Sequence, residues 1–186
     1  MHVTEGFDDG NPKIGSQNMT SIPTSLPECV TQSFPLNWTL TGSGVFSWSV
    51  FRFYRASLFQ TGPLDGSHPY ALDLLYMRNL SAQQIVQTSV DEMLRLRPEY
   101  EADASAWGEA LNAFIPDVGL GDRLVGVFEP GSGVAFFSGH KLLGQIKSVA
   151  FADAFAAIWL DEKTQSPSLR SALLGNNPVK TLAVQS

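Results

Sequence analysis

The stretch G-S-G-V-F-S-W-S-V-F-R-F-Y-R-A-S-L-F-Q, Gly42 to Gln60, decides how the rest of the chain is arranged. It has no proline, is rich in aromatic residues and opens on a Gly-Ser-Gly that suits a tight turn, so it reads as one long, bent β-strand. Phe46, Trp48 and Val50 share one parity, with Ser47 and Ser49 between them. The alternation then slips. Phe51 and Phe53 are apolar on the other parity, Arg52 takes the parity of Phe46, and Ala56 and Leu58 restore the first pattern. A slip of this kind implies a bulge, or a strand covered on both faces at its middle. Arg52, Tyr54 and Arg55 stand at the slip. A guanidinium buried there requires a partner, and a ligand carboxylate is one candidate. The alternative is that Arg52 and Arg55 snorkel to solvent at a sheet edge, the commoner fate of charged side chains.

Outward from this stretch, strand and helix signals are segregated rather than strictly alternating. Leu36 to Leu40 reads as a short strand leading in. Pro63 to Pro69 is a loop, and Tyr70 to Met77 is a strand with Leu72, Leu74 and Tyr76 on one face. Ser81-Ala82-Gln83-Gln84 is a capping box that starts a helix with Val86, Val90, Met93 and Leu94 on its stripe, ended by Pro98. A second helix runs from about Tyr100 to Phe114. Three short strands follow: Arg123 to Phe128, Val134 to Phe137 and Leu142 to Ile146, joined by two turns as an antiparallel meander. Phe151 to Leu160 is an apolar helix, and Ser168 to Leu174 a last one with Gly175 as its stop. The segregated strands and helices predict an α+β fold with an antiparallel sheet. The polar residues 1–34 read as a flexible N-terminal arm with a short ordered piece at Val30 to Phe34, residues 35–175 as a single domain, and 176–186 as a tail.

The chain has 186 residues, of which 44% are hydrophobic, enough for one domain with its own core. A net charge of −6 and a pI near 4.9 argue against a nucleic-acid partner. No run is long enough for a membrane span, and Met1 to Thr20 lacks the apolar centre of a secretory signal. Cys29 is the single cysteine, so no internal disulfide and no multi-cysteine metal site is expected. His140 sits in a turn without a second histidine nearby, and no metal or cofactor is expected. Gly131-Ser132-Gly133 lies between strands, so it is not a phosphate loop. Asp122 and Arg123 are expected to pair with each other, and Trp38, Trp48, Trp107 and Trp159 to lie in the core.

Four segments, in order, resemble the chalcone isomerase-like superfamily in its bacterial branch. They are F-R-F-Y-R-A-S-L-F (51–59), Y-A-L-D-L-L-Y-M-R-N-L-S-A-Q-Q-I (70–85), the glycine-rich P-D-V-G-L-G-D-R-L-V-G-V-F-E-P-G-S-G-V-A-F-F-S-G-H-K-L-L-G-Q-I (116–146), and F-A-D-A-F-A-A-I-W-L (151–160) with S-P-S-L-R-S-A-L-L-G (166–175). The resemblance implies an open-faced β-sandwich, a large antiparallel sheet with helices packed on one face and a ligand cleft between the long strand and the helices. In the enzymes of that superfamily an arginine, with threonine, tyrosine and asparagine, closes a flavanone ring. The matching positions here hold Phe46, Tyr54, Ile85 and Glu92. A benzyl group cannot polarise a phenolate or carbonyl as a guanidinium does, so the chain is expected not to be a chalcone isomerase. Purified protein should leave the spontaneous cyclisation rate of a chalcone unchanged in a spectrophotometric assay; a faster rate would refute this.

Non-catalytic members of the superfamily bind fatty acids through an arginine and a tyrosine. The resemblance therefore implies a small apolar or carboxylate-bearing ligand, with Arg52, Tyr54, Tyr76, Arg78 and Trp48 as its contacts. Two alternatives stay open: an enzyme of unknown substrate that reuses the same cleft, and a structural or partner-binding domain whose cleft is filled. By analogy with bacterial relatives that carry export signals, a periplasmic or exported location is expected, with the cytoplasm as the alternative.

Overall fold

A computed structural model describes residues 22–176; most of the arm and nearly all of the tail read from the sequence lie outside the described residues. The six strands are β1 (Thr39–Trp48), β2 (Phe51–Gln60), β3 (Tyr70–Tyr76), β4 (Arg123–Glu129), β5 (Gly133–Ser138) and β6 (Leu142–Ile146). They form one antiparallel sheet in sequence order, each strand beside the next. Among the described residues the helices are α1 (Glu28–Ser33), α2 (Ala82–Leu96), α3 (Glu101–Asn112), α4 (Val149–Leu160) and α5 (Pro167–Leu173).

The long strand expected over 42–60 is a hairpin instead. β1 and β2 meet at Ser49 and Val50, with Trp48 opposite Phe51 as the last pair. Ser49 has φ 56°, a left-handed conformation more usual for glycine or asparagine. The apparent slip at Phe51 is the chain reversing. The short strand read over Leu36–Leu40 begins only at Thr39, where it is already part of β1. The Gly42-Ser43-Gly44 piece is no turn: it lies inside β1, where α5 crosses it. A Cβ built on Gly42 would fall 2.6 Å from the Leu173 carbonyl oxygen and closer still to that of Ala172. Only bare backbone fits beneath that helix.

Alternation puts Ala56, Leu58, Leu72, Leu74 and Tyr76 on one face, buried under α2 to α5 in the larger core. The opposite face carries a smaller cluster, where Val30 of α1 packs with Phe59, Val125, Val127 and Phe137. The capping box forms as read: the Ser81 hydroxyl accepts from the Gln84 amide at 3.1 Å, and the Gln84 side chain accepts from the Ser81 amide at 3.0 Å. A short 3₁₀ turn, Pro98–Tyr100, separates α2 from α3.

Two local pairings differ from expectation. Arg123 does not pair with Asp122; it reaches across β4–β3 to Asp73, a carboxylate with no exposed surface. Asp122 instead caps its own loop, accepting from the Gly119 amide at 2.7 Å. Trp48 is not core: it is 61% exposed.

Candidate ligand-binding site

The helix-covered face does not close completely. Between β1–β4 and the helices lies a cavity of about 380 Å³, in the lower part of the range usual for small-molecule sites, ~300–1,000 Å³. Phe46 and Trp48 of β1, Phe53 and Tyr54 of β2, and Tyr76 of β3 form its floor near the hairpin; Ile85, Ser89 and Glu92 of α2 form one wall. Those three share a helix face at spacings of four and three residues. Ile158 and Trp159 of α4 and Leu169 of α5 complete the enclosure.

The floor is a run of touching aromatic rings. Phe46 lies 5.9 Å from Phe53 and stacks on Tyr54 at 5.2 Å, and Tyr54 meets Tyr76 edge-on at 5.8 Å. Within this apolar setting the polar atoms are few and specific. The Trp159 indole N–H donates to the Tyr54 hydroxyl at 3.1 Å, which leaves the phenolic proton of Tyr54 available to another acceptor. The Tyr76 hydroxyl makes no hydrogen bond among the described residues. Every fully enclosed side-chain N or O there has a partner, so this oxygen keeps access to the cavity. Burial raises both phenol pKa values well above the usual range, and neighbouring Glu92 and Tyr54 add to the rise at Tyr54 and Tyr76 respectively. Both groups are therefore neutral donors across the physiological range.

Among the described residues, Glu92 is the single charged one in the cavity wall. Its carboxylate is taken up by Arg95 at 2.9 Å and by the Gln165 amide at 2.8 Å, a clasp that ties α2 to the α4–α5 loop. Among the described residues, no group of three or more His, Cys, Asp or Glu is placed to hold a metal.

A family model described as chalcone isomerase-like matches residues 24–175, most of the chain. The chain belongs to the chalcone isomerase-like family. The crystal structure of a fatty-acid binding protein from Arabidopsis thaliana superposes with a TM-score of 0.62 at 10% identity, covering 83% of this chain and 91% of that one. At that identity the likeness speaks for the fold alone. No curated protein sequence matches the chain.

In this chalcone isomerase-like chain, Phe46, Tyr54, Ile85 and Glu92, the positions expected from the resemblance to match the catalytic set, all line the cavity. Of the five contacts expected from the sequence, Trp48, Tyr54 and Tyr76 line the cavity, and Arg52 and Arg78 do not. Arg52 is turned away by one residue. Phe46 pairs with Tyr54 but Ser47 pairs with Arg52, so Phe53 is an extra, bulged residue on β2. Ser47 lies between two cavity residues and so faces the other way, and its cross-strand partner Arg52 goes with it, exposed. Of the two readings of the slip, burial and exposure at a sheet edge, Arg52 takes the exposed one, and Arg55 is half-buried on the same side. The Arg78 guanidinium lies 5.0 Å from the ring centres of both Phe51 and Phe53, a cation–π contact outside the cavity lining. Sequence reading missed Phe53 as a cavity residue because the bulge is what aims it inward. It also took Trp159 for plain core, since F-A-D-A-F-A-A-I-W-L is apolar except at Asp153 and marks no binding face.

Proposed function

We propose that the protein is a binding module that takes one apolar chain into the cavity and holds its head through an uncharged oxygen, carbonyl or hydroxyl. The observation that carries this is the pair of neutral phenols: Tyr76 with its unpartnered hydroxyl, and Tyr54 with a proton to give after accepting from Trp159. Two neutral donors in an apolar pocket suit one acceptor oxygen. The fatty-acid binding of the structurally similar plant protein supports an apolar-chain ligand in this fold. An ionised carboxylate is disfavoured here, because among the described residues no Arg or Lys lines the cavity and Glu92 stands in its wall. A fatty acid would enter in its protonated form.

The test is calorimetric titration with a long-chain alcohol and with the corresponding acid. The alcohol should bind with an affinity independent of pH, and the acid more tightly at about pH 5 than at about pH 8. Tyr76→Phe and Tyr54→Phe should each weaken alcohol binding by about five- to tenfold, the net worth of one hydrogen bond. Unchanged affinity in the double Phe variant, or tighter acid binding at the higher pH, would refute the phenol-held head.

A further inference from the structure

The hairpin that carries the cavity floor ends in an exposed apolar tip. Trp48 is 61% exposed, Val50 85% and Phe51 54%, consecutive across the turn except for Ser49. A tight turn exposed to water is ordinarily built from glycine, asparagine or aspartate; here a serine is held at φ 56° and a β-branched apolar residue stands at the apex.

Three arginines stand around this tip on a chain whose net charge is negative. Arg52 and Arg55 lie on the face of β2 turned away from the cavity, opposite Ser47 and Val45, and Arg78 braces Phe51 and Phe53 from the end of β3. None of these arginines makes an ion pair among the described residues. The nearby acids Asp117 and Asp122 are exposed, but each is engaged by a backbone amide: Asp122 accepts from the Gly119 amide and Asp117 from the Ala82 amide. The result is an apolar finger ringed by cations on a protein of net charge −6. Trp48 belongs both to the finger and to the cavity lining, so the two apolar surfaces are continuous.

We propose that the β1–β2 hairpin tip docks on an anionic lipid bilayer, inserting Trp48, Val50 and Phe51 into the headgroup–acyl boundary while Arg52, Arg55 and Arg78 meet lipid phosphates. Peripheral binding of this type needs both signals, apolar insertion and cation attraction, and the tip carries both. Docking there sets the aromatic floor of the cavity against the bilayer, the source and sink of the apolar-chain ligand proposed above.

The experiment is vesicle flotation of the full chain with phosphatidylcholine vesicles, with and without phosphatidylglycerol. Binding should require the anionic lipid and weaken with added salt. Val50→Asp should reduce it at least tenfold, and Arg52→Gln about fivefold, the usual share of one cation near a charged surface. Both positions are exposed, so thermal unfolding should be unchanged. Val50→Asp should also keep the alcohol affinity of the parent, so loss of docking and loss of the cavity read out separately. The proposal is overturned if the parent protein leaves both kinds of vesicle unbound, or if binding is indifferent to phosphatidylglycerol and to Val50→Asp. Self-association that Val50→Asp abolishes, without vesicle binding, would overturn it in favour of a contact between copies.

Discussion

Arg123→Ala should lower the free energy of unfolding by about 3–5 kcal/mol, the usual result of stranding one partner of a buried ion pair. Asp73 has no exposed side-chain surface, and Arg123 is its charged partner; the same guanidinium also donates to the Ser25 carbonyl at 3.0 Å, tying the segment before α1 to the sheet. Burial raises the Asp73 pKa, and the hydrogen bonds and charge of Arg123 work against that rise. Without Arg123 the rise is larger. A carboxyl whose folded pKa exceeds its unfolded value penalises the native state at high pH, and the penalty fades as the pH falls through the folded value towards the ordinary one near ~4. The deficit of Arg123→Ala, measured by urea unfolding, should therefore be greatest near neutrality and shrink on acidification. The double variant Asp73→Leu/Arg123→Met should recover most of the loss, because apolar replacement of a whole buried pair is often neutral. A deficit under about 1 kcal/mol, or one that grows in acid, would show that the pair does not carry the stability assigned to it.

Gly42→Val should destabilise by about 3 kcal/mol and remove ligand binding together with it. The new side chain would meet the backbone carbonyls of Ala172 and Leu173, which have no rotamer to move into. Helix α5 would have to lift from β1. Leu169, which lines the cavity and rests against Gly44, would lift too, and the enclosure would open to water. Gly139→Ala provides the contrast. Its Cβ would meet only the Cβ of Arg123 at 4.0 Å, so thermal unfolding should stay within about 1 kcal/mol of the parent. Equal stabilities for Gly42→Val and Gly139→Ala would mean that α5 does not depend on the bare backbone of β1.

Much of this architecture was legible from local pattern. The Ser81–Gln84 capping box, the β4–β5–β6 meander and the common face of Leu72, Leu74 and Tyr76 each depend on residues a few positions apart, where hydrogen-bonding chemistry and side-chain periodicity act directly. So did the family, through the order of four such patterns. The hairpin at Ser49-Val50 was not legible, because a serine and a valine replace the residues that announce a turn and the apolar run continues through them.

The sequence by itself therefore determined most of the elements beyond the β1–β2 hairpin, their order and the sheet-and-helix class of the fold. Tertiary structure decided which of the expected contacts reach the site: Trp48, Tyr54 and Tyr76 do, Arg52 and Arg78 do not. One bulged residue, Phe53, turned Arg52 out and itself in, and Arg123 found Asp73 fifty positions away rather than its neighbour. The Tyr76 hydroxyl was left facing a cavity that only the assembly of β1–β4 with α2, α4 and α5 creates. The physical reason is that a strand has period two: its residues are known from pattern, but the side each one faces depends on register against a neighbour, and a shift of one position reverses it.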